Sequence, residues 1–263
     1  MSDSSSPSKS GLGKVLAFFK PKNSSSQEAK ILKELKKDAR RYQRYPLCSK
    51  DILQVQTREG KTYPVANISF SGFAICGPTD SKTVPLSEEM KLVFLGQSIT
   101  VFAKQTYINS NALILGYSFT SDTAHDLILL KELMGALKSG SSLKALARQF
   151  LKAEYLDDSW TCLRGEGPTD LLVRTKSKGS LDLEELVLTF LNTEEDYQEL
   201  RYHNGAFITG KAVDKGVGAR MRSTQDLDQD ILKRALLILA GAQDDFSPLA
   251  AHIITILMGK IVS

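Results

Sequence analysis

Between Asp51 and Phe119 apolar and polar residues alternate with a period of two, in short runs broken by turn residues. That spacing rules out helices and demands half-buried strands, each with one face on a core. "DILQVQT" and "KTYPVANI" are joined through "REG", a hairpin signal. "KLVFLG" and "SITVFAKQTYI" follow, with Gly96-Gln97 expected as the turn between them. "ALILGYSF" then sets Leu113, Leu115, Tyr117 and Phe119 on one face. About six short strands joined by tight turns predict a small antiparallel barrel.

After the alternation ends, "TAHDLILLKELMGAL" has helical spacing, with Leu127, Leu130, Met134 and Leu137 as its buried stripe. "KSGSS" (138–142) is expected to be a linker that ends the first folded unit. A second amphipathic helix is expected over "SLKALARQFLKAEYL", with Leu143, Leu146, Ala147, Phe150 and Leu151 on its apolar side. Strands then recur in "DLLVRTK", "EELVLTFL" and "YQELRYHNGAFITGKAV", the last turning at His203-Asn204-Gly205. Two helices close the sequence, "DQDILKRALLILAGAQ" and an apolar segment from Leu249 to Val262 with Ser247 as N-cap and Pro248 at its first position. The expected organisation is a basic, Ser-rich tail over 1–27, a helix plus barrel over 28–137, and a separate α+β output or interaction domain over 143–263.

Charge is uneven along these 263 residues. Residues 1–50 hold twelve Lys/Arg and four acids, a balance of +8 against −4 for the remainder. So basic a segment favours an anionic partner, and within it "GLGKVLAFFKPK" has the make-up of a weak membrane-surface or groove contact. From Gln27 to Arg41 a charged helical pattern carries Ile31, Leu32 and Leu35 as a narrow apolar stripe. Three scattered cysteines (Cys48, Cys76, Cys162) with no C-x-x-C argue against a disulfide framework or a zinc site and fit a reducing compartment. The Leu249–Val262 segment contains His252 and Lys260 and is too short to span a bilayer, so a cytoplasmic protein is expected.

Two stretches hold side chains suited to one ligand. Arg40, Arg41 and Arg44 lie in "DARRYQRYPL" with an R-x-x-x-R spacing, and Asn67, Ser69 and Gly72 form an N-x-S-x-x-G spacing in "NISFSG". A guanidinium fork grips phosphate or the O6/N7 edge of guanine and stacks on bases. Asn and Ser at alternate strand positions project an amide and a hydroxyl from one face, and the glycine admits a bend or close approach. Together they describe a receptor for a phosphorylated, purine-like molecule.

The pair of stretches resembles the PilZ domain, the bacterial receptor for the second messenger cyclic di-GMP, over about residues 38–137. Members begin with R-x-x-x-R and carry [D/N]-x-S-x-x-G on a strand of a six-stranded antiparallel barrel closed by a helix. The resemblance implies that Arg40 and Arg44 grip guanine edges and phosphates, with Arg41 adding a phosphate contact. It implies that Asn67 and Ser69 hydrogen-bond guanine and phosphate, and that Gly72 acts through the backbone. Asn67 stands where many members have Asp, which removes a carboxylate able to pair with an arginine.

The expected function is therefore a non-catalytic cyclic di-GMP receptor coupled to a C-terminal output domain, of the kind that regulates motility, exopolysaccharide production or virulence. No cofactor and no metal are expected, since His125, His203 and His252 lack ligand-spaced company and no catalytic constellation competes. Protein partners would meet the C-terminal domain or the tail. The alternatives are a PilZ-like interaction adaptor that binds no nucleotide, and a nucleic-acid-binding regulator that uses the basic tail.

Overall fold

The computed structural model describes residues 43–77, 86–109, 113–121, 123–192, 196–213, 221–224 and 226–261. Two units divide the chain, Met1–Arg41 and Tyr42–Ser263, and all described residues lie in the second. The expected tail, the helix from Gln27, Arg40 and Arg41 fall outside the described residues.

Seven strands form the first sheet: β1 (Tyr45–Pro46), β2 (Leu53–Gln56), β3 (Thr62–Ser69), β4 (Gly72–Cys76), β5 (Ser87–Phe94), β6 (Gln97–Asn109) and β7 (Ile114–Thr120). Their order is β1-β3-β2-β5-β6-β7-β4, and β4 pairs back with β3. Strands β2 to β7 thus close a six-stranded antiparallel barrel, with β1 added on β3. Inside lie Leu53, Val55, Ile68, Met90, Leu92, Ile99 and Val101, all at 1 % exposure or less. Phe73 stacks on Tyr117 and Phe119 at centroid distances of 5.3 and 5.8 Å. Burial pushes the Tyr117 phenol up to about 12.

Turn chemistry sets the register. The β5–β6 turn is Leu95-Gly96 rather than the expected Gly96-Gln97, because both central positions are left-handed (φ 46° and 79°), as a two-residue hairpin turn matched to strand twist requires. Leu113 also departs from expectation. It is 43 % exposed with φ 52°, a turn residue ahead of β7, while Leu115, Tyr117 and Phe119 do point inward.

Helix α1 (Ala124–Ser141) follows, capped by Thr123, whose Oγ1 accepts from the Asp126 N–H. Asp126 in turn accepts from the Thr100 N–H of β6 at 3.3 Å, pinning the helix start to the barrel. Leu127, Leu130, Met134 and Leu137 are buried as their spacing predicts. Residues 138–142, expected as a linker, are instead the last turn and cap of α1. Gly140 is small for a packing reason: a Cβ there would collide with the Ile238 carbonyl.

The second sheet is an antiparallel meander of seven strands. In sequence these are β8 (Lys144–Ala145), β9 (Trp160–Arg164), β10 (Asp170–Thr175), β11 (Leu183–Leu191), β12 (Tyr197–His203), β13 (Ala206–Ala212) and β14 (Met221–Ser223). The helix expected over 142–156 does not form. Lys144 and Ala145 pair with Arg164 and Leu163, and short 3-10 turns occupy Arg148–Phe150 and Ala153–Tyr155. Sheet pairing satisfies that backbone where local propensity would have coiled it, and Phe150 is left 71 % exposed. The β12–β13 turn is Asn204-Gly205 with both φ positive (50° and 79°).

One face of this sheet presents Leu171, Val173, Leu186, Leu188, Phe190 and Leu200. Two helices complete this half of the chain, α2 (Gln229–Ala240) and α3 (Ser247–Ile261), with Ser247 already in helical conformation. α2 packs on β12, α1 and α3, and its residues Ile231, Leu232, Ala235, Leu236 and Leu239 are almost fully buried. A single apolar cluster runs from the barrel interior through these helices to the sheet. No described helix is long and apolar enough to cross a membrane.

Candidate functional site

The outward face of the barrel over β3, β4, β7 and β6 carries two cross-strand rows. Register aligns Asn67 with Ala74, Ala74 with Gly116, and Gly116 with Tyr107. The neighbouring row aligns Ser69, Gly72, Ser118 and Lys104. Small residues in the middle of both rows keep the floor low, with polar or aromatic groups toward the edges.

Each edge is shaped by a bulge. An irregularity between Val65 and Asn67 re-aims Asn67, and another between Gln105 and Tyr107 re-aims Tyr107. Both bulges are tied down: the Leu47 N–H donates to Ala66 O at 3.0 Å, and Thr106 Oγ1 donates to Gly116 O at 3.1 Å. Tyr107 lies so close over Gly116 that a Cβ there would sit inside its ring.

Arg44 enters from beside β1. Tyr45 and Pro46 pair with Ile68 and Asn67, so Arg44 reaches the Ser69 end of that ladder. Its Nη1 donates to the Tyr107 hydroxyl at 3.3 Å, and its Cζ stands 5.7 Å from the Tyr107 ring centroid. Arginine and tyrosine therefore meet across the floor of small residues.

Asn67 is half-buried, and its Oδ1 is enclosed without a hydrogen-bond partner among the described residues. An acceptor stripped of water and left unmatched costs roughly 1–3 kcal/mol. Ser69 is buried, its Oγ donating to Gly72 O at 3.1 Å across the Phe70-Ser71 turn. Gly72 is required by close strand approach rather than by a special turn conformation, because a Cβ would collide with the Tyr117 carbonyl.

Of the six residues singled out in the sequence, Arg44, Asn67, Ser69 and Gly72 gather on this face, while Arg40 and Arg41 lie outside the described residues. Tyr107, Gly116 and Lys104 were not singled out. Their strands carry an ordinary alternation, and only the bulge-shifted pairing of β6 with β7 aligns Tyr107 with Gly116. Among the described residues, no group of three His, Cys, Asp or Glu is arranged to hold a metal ion. No protein-family model, curated protein or solved structure matches the chain.

The arrangement presents a cation and a flat aromatic ring above a low floor, with Asn67 and the buried Ser69 on the same face. A guanidinium and an aromatic ring face together suit a planar, negatively charged group.

Proposed function

We propose that this protein is a non-catalytic receptor for cyclic di-GMP whose barrel is PilZ-like, with α1 as the closing helix. The observation that carries the reading is Arg44 set on the Tyr107 ring over a floor of small residues, on the face that also carries Asn67 and Ser69. A guanine presents N1–H and N2–H donors on its Watson–Crick edge, which suit the Asn67 amide oxygen once that side chain turns toward the ligand. Its other edge, O6 and N7, and the phosphates suit a guanidinium. Tyr107 supplies a ring face for base stacking. The contact between α1 and the barrel through Asp126 and Thr100 supports the closing-helix assignment.

On this reading Arg44 rests on Tyr107 without ligand and turns to the nucleotide when it arrives, Arg40 and Arg41 completing the clasp. The second half of the chain would carry the output, through a protein partner. Calorimetric titration with cyclic di-GMP tests the reading. The wild-type protein is expected to bind, and Arg44→Ala to weaken binding by about tenfold or more, the scale of a lost charged hydrogen bond. Absence of heat with the wild type, or an Arg44→Ala affinity equal to wild type, rejects it.

A further inference from the structure

The segment just after Arg44 is held by the far end of the chain. The Cys48 N–H donates to Ala240 O at 3.1 Å, and Cys48 Sγ donates to Leu239 O at 3.3 Å. Gln243 Nε2 donates to Pro46 O at 3.1 Å and to Gly241 O at 2.9 Å. The last carbonyls of a helix have no partner within it. Here Leu239, Ala240 and Gly241 at the end of α2 are matched by Cys48 and by Gln243, which grips Pro46 with the same amide.

Pro46 is also the residue that pairs with Asn67, and Arg44 is two residues away with the buried Tyr45 between them. The backbone that aims Arg44 is thus fixed on one side by β3 and on the other by the α2 terminus. Gly241 has room only for hydrogen at this corner, since a Cβ would collide with the Leu137 backbone of α1. The corner where α2 meets α1 is therefore tightly packed and cannot yield to let Pro46 drift.

We propose that Gln243 and the C-terminal end of α2 are positioning elements of the nucleotide site, holding Pro46 and Cys48 so that Arg44 is delivered from the end of β1 onto Tyr107. The inference rests on the cyclic di-GMP reading. Gln243 does not touch the ligand; it acts through Pro46. Because coupling between sites is reciprocal, nucleotide held by Arg44 tightens the contact of residues 46–48 with α2, which is how occupancy reaches the second sheet.

The test pairs calorimetry with thiol chemistry on the full chain. Gln243→Ala and Gln243→Glu both remove the donor to Pro46, and each is expected to weaken cyclic di-GMP binding about three- to tenfold, the worth of one neutral hydrogen bond. Alkylation of Cys48 by iodoacetamide, followed by peptide mass, is expected to slow in wild type when cyclic di-GMP is added. In Gln243→Ala it is expected to speed up without ligand. A merely structural role for Gln243 would leave Cys48 indifferent to nucleotide. Wild-type binding with unchanged affinity in both variants, or a Cys48 rate that ignores the ligand, overturns the positioning role alone. No binding by the wild type overturns the nucleotide reading and this inference with it.

Discussion

The outer faces of the two sheets use charge in opposite ways. On the second sheet, arginines are answered by carboxylates of the protein itself. Arg164 meets Asp170 at 2.6 Å, Arg174 Nη2 meets Glu185 at 2.7 Å, and Arg201 meets Glu199 at 2.5 Å; Arg174 Nε lies 3.0 Å from Glu184 without the geometry of a hydrogen bond. On the barrel, Arg44 has a tyrosine where an acid might stand, and Asn67 Oδ1 has no hydrogen-bond partner among the described residues. A face whose charges are internally matched gains little from an added ion. One whose cation rests on a neutral tyrosine keeps its charge uncompensated by a carboxylate, which is what the proposed anionic ligand would use. Abundance of arginine says less about a site than what each arginine already touches.

Five substitutions break or sharpen this contrast. The largest effect belongs to the interior beneath the second sheet. Phe190→Ala should lower stability by about 3–5 kcal/mol, the cost of truncating a fully buried aromatic, read by denaturant unfolding. Next is Arg44→Ala against Arg164→Ala. The first should weaken cyclic di-GMP binding about tenfold or more, while the second, at an exposed pair on the other sheet, should leave affinity unchanged. Equal effects of the two would erase the distinction between the faces.

Asn67→Leu is expected to separate stability from binding. It deletes an enclosed acceptor without a partner, so the unfolding midpoint should hold or rise while nucleotide affinity falls several-fold. A parallel loss of both would mark Asn67 as structural.

The smallest effect concerns pH. Asp228 caps α2 and accepts from Lys211 at 2.6 Å. Partial burial pushes its carboxyl up, but the Lys211 ammonium and the Ile231 and Asp230 N–H groups outweigh that and hold it below the usual carboxylate range. A depressed folded-state value means the stabilisation is present above the unfolded carboxylate's pKa and fades as pH falls through the folded one. Asp228→Asn keeps the cap but loses the ion pair. Wild type should therefore exceed it slightly at neutral pH, and the gap should close in strong acid in a thermal-melt series.

Much of the fold is legible locally. Alternation between Asp51 and Phe119 specifies strands because a one-residue slip would turn every apolar side chain outward. Asn204-Gly205 announces its hairpin because few other pairs adopt two left-handed conformations cheaply. Where local cues mislead, a distant partner is the reason. "KSGSS" has linker composition, yet Gly140 is there because α2 passes against it. "SLKALARQFLKAEYL" has helical spacing, yet Lys144–Ala145 finds a sheet edge in β9.

The candidate site divides along the same line. R-x-x-x-R and N-x-S-x-x-G, read together and through the family they resemble, pick out Arg44, Asn67, Ser69 and Gly72, since residue type and alternation decide what can be offered on one face. That Tyr107 lies opposite Arg44, that Asn67 is left unmatched, and that Gln243 holds Pro46 from 197 positions away are decided only when the chain closes on itself. Sequence alone determined which groups are available. Tertiary structure decided which of them are satisfied, because hydrogen-bond matching and close approach depend on strand register and helix packing between residues far apart in the chain.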